Sequence, residues 1–171
     1  MWLFARIPSA QTAANKRPQA ELEPVSTQLK RNIYMTQLII RAGEFTFGGH
    51  FEEELAPETT AAFKALLPYQ GKIVHVRWSG EGVWIPLGDT NFGVGYENHT
   101  SHPAPGQFLL YPGGISETEI LLSYGGVDFS SKMGQLAGNH FITITSGLKN
   151  LMALGNSVLW NGAHDISFEL A

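Results

Sequence analysis

The stretch from Ala42 to Leu67, AGEFTFGGHFEEELAPETTAAFKALL, constrains the fold more than any other part of this chain. Gly43-Glu44 punctuates as a turn after the β-branched run Gln37-Leu-Ile-Ile-Arg-Ala42, which reads as a strand. Phe45 to Glu54 reads as a second strand, and Gly48-Gly49 inside it marks a bulge or a close backbone approach. Pro57 opens a helix, since its missing N–H is one of the free donors of a first turn. Glu58 beside it complements the helix dipole. Ala62, Phe63, Leu66 and Leu67 recur at helical spacing and are expected to form one buried face, each large member contributing about 1.5–3 kcal/mol on burial. Pro68 ends the helix.

Beyond Pro68 the pattern is all-β. Lys72 to Trp78 alternates, which places Ile73, His75 and Arg77 on one face of a strand and Val74, Val76 and Trp78 on the other. Ser79 to Gly82 is a turn, and Val83 to Leu87 a short strand that Pro86 assigns to an edge or a strand end. Two long loops, Gly88 to Gly106 and Gly125 to Gly138, flank a hairpin of Gln107–Tyr111 and Glu119–Tyr124. Asn139–Thr145, Ser157–Trp160 and His164–Leu170 complete about eight strands, with a brief helical turn near Leu148 to Leu154. Short strands at even spacing with one early helix predict a mainly β, closed antiparallel barrel.

Charge divides the chain unevenly. Residues 1–34 carry five basic and two acidic side chains and the remainder six and thirteen, so a segment at +3 precedes a body at −7. We read residues 1–34 as a disordered tail or a mis-called start before Met35, with an Arg-rich transit peptide as the alternative. Residues 35–171 then form one domain, large enough for a single core. An acidic body repels phosphate backbones, which argues against nucleic acid as a partner. No apolar run approaches the ~18 residues of a membrane span, which argues against a membrane partner. With no cysteine, disulfide frameworks, thiolate metal sites and cysteine nucleophiles are excluded. That absence is compatible with the reducing cytosol, and a cytoplasmic location is the expectation.

These features together resemble the cyclophilin-like superfamily. Gly43-Glu44, the run Glu54-Leu-Ala-Pro-Glu-Thr59 and Phe63-Lys-Ala-Leu66 match that fold's first hairpin and helix. Gly138-Asn-His-Phe-Ile-Thr143 resembles its groove-lining strand, and Leu154-Gly155 with Val158-Leu-Trp-Asn-Gly162 its closing strands. The middle departs from true prolyl isomerases. Counting forward from Arg77 gives Gly82 and Ile85 where that family's aromatic and amide residues should fall. Trp78-Ser-Gly-Glu-Gly-Val-Trp84 and Tyr111-Pro-Gly-Gly look more like bacterial cyclophilin-like proteins known only as a domain of unknown function. The resemblance implies a cyclophilin-like β-barrel and puts prolyl isomerase activity in doubt.

The densest polar cluster is Glu97-Asn-His-Thr-Ser-His102. Glu97, His99 and His102 have the donor types of a zinc or non-haem iron site, or the makings of a metal-free acid–base pair. An exposed polar loop is the plainer reading. His140 lies on the strand whose cyclophilin counterpart faces the groove, and alternation groups it with Ile142 and Ile144. Arg77 is a candidate for holding a substrate carboxylate, and Trp84 and Tyr124 are candidate walls of an apolar pocket. Gly93-Val-Gly95 has no third glycine and no strand-to-helix context, so dinucleotide binding is rejected and no cofactor is implied. The favoured reading is a small-molecule protein acting on a carboxylate or amide compound in a barrel-side pocket. A prolyl isomerase or proline-peptide binder and a non-catalytic interaction module are the alternatives. Whether it is an enzyme, and whether it forms a homo-oligomer, stay open at this level.

Overall fold

The computed structural model describes residues 36–171, so the expectations for residues 1–34 and for Met35 fall outside the described residues. The first strand is β1 (Gln37–Ala42), followed by β2 (Phe45–Phe51) and helix α1 (Pro57–Lys64). Next come β3 (Tyr69–His75), a 3-10 turn over Arg77–Ser79, and β4 (Gly80–Gly88). The middle of the chain holds β5 (His99–Thr100), β6 (Gln107–Tyr111), β7 (Thr118–Val127) and a small hairpin of β8 (Ser130–Ser131) and β9 (Gly134–Gln135). The C-terminal part is β10 (Gly138–Ser146), helix α2 (Leu151–Asn161) and β11 (His164–Leu170).

Eight strands run in the order β2-β1-β11-β3-β4-β7-β6-β10, and β10 pairs back onto β2. All these pairs are antiparallel, so the sheet closes into the expected mainly β, cyclophilin-like barrel and removes its own edges. The closing seam explains the early glycine pair. A Cβ on Gly49 would lie 2.7 Å from the Thr143 carbonyl oxygen of β10. The β-bulge in β10 between Ile144 and Ser146 falls opposite the same pair. Pro86 sits where β4 has run past its pairing with β3, which ends at Trp84, so its missing N–H leaves no ladder bond unmade on that side.

Inward residues of every barrel strand fill the interior, among them Leu38, Phe47, Phe51, Ile85, Leu122, Ile142 and Phe168. The two helices cap opposite ends. Phe63 of α1 is fully buried and its ring meets Phe141 and Phe168 at 5.2 Å and Tyr69 at 5.5 Å. Leu66, expected on the same face, is 44% exposed, because the helix ends at Lys64 and the chain turns away. At the other end α2 replaces the strand expected over Ser157–Trp160. The β-propensity of Val158, Leu159 and Trp160 yields to a longer apolar stripe, Leu151, Leu154, Gly155 and Val158, that buries at helical spacing. Gly155 permits the docking, since a Cβ there would come within 2.5 Å of the Tyr124 ring.

A second apolar cluster lies on the outside of the sheet. Leu109 and Tyr111 of β6 and Leu121 of β7 point outward and pack under Phe129 and Leu136, which flank the β8–β9 hairpin. The segment expected as one long loop therefore holds the end of β7 and a cover for this outer face.

Candidate functional site

Alternation along β4 and β7 builds a cavity on the outer face of the barrel. Val83 and Ile85, with Ile120 and Leu122, point into the core. Trp84 and Glu119 therefore point outward. The hairpin residues Lys132 and Met133 arch over them, and Trp78 closes one side from the 3-10 turn. The resulting cavity has a volume of about 390 Å³. Trp78 and Trp84 meet edge to face with ring centroids 6.3 Å apart.

Glu119 is only 4% exposed, and among the described residues no donor hydrogen-bonds its carboxyl. Burial first, and then the neighbouring Glu117 charge, push its pKa up to about 8, so the group is a neutral acid at pH 7. The indole Nε1–H of Trp84 is buried and also lacks a partner. Glu117 accepts a hydrogen bond from the Gly88 amide at 3.2 Å. The cavity thus offers the Glu119 carboxyl beside the Trp78 and Trp84 rings, with the Glu117 carboxylate and the Lys132 ammonium also among its lining groups.

A separate polar cluster sits on the closing seam. Thr143 donates to Glu52 Oε1 at 2.5 Å, and the His140 Nε2 lies 2.9 Å from the Thr143 hydroxyl. His50 Nε2 is 3.3 Å and His140 Nε2 3.7 Å from the same Glu52 oxygen. The hydrogen bond from His50 is the largest influence on Glu52 and outweighs burial, holding its pKa down to about 2. Burial lowers the His140 pKa, partly offset by Glu52. His140 does not share a face with Ile142 and Ile144 as alternation predicts. A bulge between His140 and Ile142 inserts one residue, so His140 joins Thr143 outside while the two isoleucines face the core.

Glu97, His99 and His102 are not brought together. Glu97 folds back onto α1, whose N-cap residue Ala56 has no side-chain cap. Its carboxylate accepts from the Thr59 amide at 2.5 Å and the Glu58 amide at 3.4 Å, meeting the free N–H groups of the first turn. Buried Asn139 holds this arrangement by donating to Thr59 Oγ1 and the Gly95 carbonyl and accepting from the Glu97 amide. The His99 ring stacks obliquely on Tyr96 at 5.3 Å, and His102 lies exposed with Nδ1 3.8 Å from Asp128. Among the described residues no three His, Asp or Glu side chains form a group suited to a metal ion.

Arg77 and His75 do not share a strand face, because β3 ends at His75 and Arg77 opens the 3-10 turn. Arg77 is exposed, and Trp84 is the expected site residue that lines the cavity. Tyr124 lies on the opposite face of the sheet from Trp84, in the core, with its hydroxyl 2.6 Å from His75 Nε2. Glu119, Trp78, His50, Glu52 and Thr143 were not singled out from sequence. The one legible signal was Glu119, a carboxylate directly at the head of the apolar run Ile120-Leu121-Leu122.

Among solved structures, the chain is similar to McbB, described as in complex with tryptophan, at 14% identity and a TM-score of 0.57 over 77% of this chain. The chain spans 44% of the length of McbB. It is also similar to the hypothetical protein AF2241 from Archaeoglobus fulgidus, at 19% identity and a TM-score of 0.53, covering 80% of this chain and 95% of that one. Both likenesses concern the fold. No curated protein matches the chain in sequence. A family model does match, over residues 38–170, which takes in the whole barrel from β1 to β11. The chain therefore belongs to the family described as "Protein of unknown function (DUF3830)".

Proposed function

We propose that this protein binds a small carboxylate or amide compound in the barrel-side cavity between Trp84 and Glu119. The observation that carries the reading is a buried carboxyl, Glu119, that no donor reaches among the described residues and that lines a cavity beside two tryptophans. Glu119, its pKa raised by burial and by Glu117, lines a cavity whose walls include the Trp78 and Trp84 rings and Met133. A buried donor left unpaired costs about 1–3 kcal/mol, which a carbonyl or carboxylate oxygen recovers on binding. Trp78 and Met133 give the ligand an apolar wall, and the exposed Lys132 ammonium offsets the Glu117 carboxylate on the same cavity. McbB, of like fold, is described with tryptophan, itself a carboxylate.

The test is calorimetric titration of the protein with benzoate and benzamide as probes. Trp84→Ala removes an aromatic wall of the cavity and lowers affinity for both by roughly three- to tenfold. Binding by the unaltered chain fades as pH rises through 8, where Glu119 ionises and repels the acceptor. Glu119→Gln keeps a donor at that position and carries binding on to higher pH. Binding of neither probe, or binding that Trp84→Ala leaves unchanged, sinks the proposal.

A further inference from the structure

A second cavity, of about 470 Å³, lies beside the first and is lined by Tyr96, Tyr111, Ile115 and Leu136. Three separate parts of the chain divide themselves between the two cavities. In the sheet, Tyr111 of β6 is the register partner of Glu119 of β7, and the first faces one cavity and the second the other. Side chains paired in this way stand about 4.5–5.5 Å apart at Cβ. In the connection from β6 to β7, Gly113, Gly114 and Ile115 line the second cavity and Ser116 and Glu117 the first. In the cover, Ser131 to Met133 line the first and Gln135 to Ala137 the second. The two cavities are thus neighbours, lined by different residues of the same three parts of the chain.

Their chemistry differs. The first holds the Glu119 carboxyl with Glu117 and Lys132. The second is walled by aromatic and aliphatic groups, and its Tyr111 hydroxyl is already engaged by the Ile115 amide at 3.1 Å. The rim of the pair is apolar. Trp78, Tyr96, Ile115 and Met133 are each more than half exposed, and they make up four of the ten large exposed hydrophobic side chains among the described residues. That concentration distinguishes this face from a scatter of single exposed side chains.

We infer that the two compartments form one site for an elongated amphiphile, its carboxylate or amide head against Trp84 and Glu119 and its aryl or alkyl tail against Tyr111, Ile115 and Leu136. The inference rests on the reading of the first cavity given above and adds the shape and tail of the ligand. It is tested by calorimetry on the full chain with a series of ω-phenylalkanoates, from phenylacetate to 6-phenylhexanoate. Each methylene that enters the second compartment raises affinity about fourfold, the equivalent of ~0.8 kcal/mol. Ile115→Asp puts a charge among the tail's contacts and reduces the ratio of 6-phenylhexanoate to phenylacetate affinity at least tenfold. Tyr96→Ala, which removes the opposite wall, reduces the same ratio. Binding of phenylacetate with no gain along the series overturns the two-compartment site and leaves the head-group reading standing. A ratio that neither substitution moves overturns it equally. Failure of every probe to bind overturns both readings.

Discussion

Glu119→Gln tests the electrostatics of the cavity without reference to any ligand. Burial and Glu117 raise the Glu119 pKa from the ordinary 4.5 to about 8. Between those values the folded chain holds a proton that the unfolded chain has released. Stability from this group is therefore greatest below pH 4.5 and falls as pH rises, by about 1.4 kcal/mol per pH unit, until Glu119 ionises in the folded state near pH 8. Glutamine has the same shape and no ionisation. The stability of Glu119→Gln minus that of the unaltered protein therefore widens by roughly 3 kcal/mol between pH 5 and pH 8, then levels off. The assay is urea denaturation followed by far-ultraviolet circular dichroism, with equal m values required for the comparison. Taking the difference cancels His75 and His140. Their depressed pKa values make stability rise with pH below about 6.5, the opposite sign. A difference that stays constant within about 0.5 kcal/mol from pH 5 to 9 refutes the reasoning and means the carboxyl ionises as in water.

Two further substitutions separate structural roles from functional ones. Glu97→Ala removes the only side-chain cap on the α1 N-terminus among the described residues and costs about 1 kcal/mol in denaturant titration, while Glu97→Asp, one methylene short of Thr59, recovers little. A cost near zero contradicts the capping role. Glu52, with its pKa lowered to about 2, contributes stability that is fully present above 4.5 and is lost as pH falls toward 2. Glu52→Gln accordingly lowers stability at neutral pH by roughly 2–4 kcal/mol and flattens the acid limb of the stability curve. An acid limb unchanged by the substitution shows that Glu52 is not held ionised by His50 and Thr143.

The polar clusters show how a barrel uses residues that attract functional attention. Glu97 and His140 both stand in polar surroundings along the chain. In the fold Glu97 satisfies helix donors, and His140 joins His50, Thr143 and Glu52 across the seam that closes the sheet. The seam cluster is bonded internally around one carboxylate oxygen, apart from His50 Nδ1, which is buried and has no partner among the described residues. The Trp84 cavity differs in kind, since among the described residues no donor bonds the Glu119 carboxyl that lines it.

Local pattern was sufficient to read β1, β6 and β11, whose bounds as read match the structure, and to place the start of α1 at Pro57. These elements are short amphipathic runs between turn residues, and their period is a property of neighbours in sequence. The glycine pair at 48–49 was legible for the same reason, as a place where backbone must come close. Helix α2 was not legible, because Val158-Leu159-Trp160 suits a strand by propensity and becomes helical only when its stripe docks on Tyr124 and the barrel end. The orientation of His140 was likewise hidden, since one bulge residue reverses the alternation. The cavity needed tertiary structure most of all. Trp78, Trp84, Glu119 and Met133 come from four separate places in the chain, and burial among them, with the Glu117 charge, raises the Glu119 pKa to about 8. Sequence alone determined that this chain closes a β-barrel, because periodicity acts between neighbours. Tertiary structure decided which polar groups are spent on the fold and which face open space, because burial and hydrogen-bond pairing are set by residues far apart in the chain.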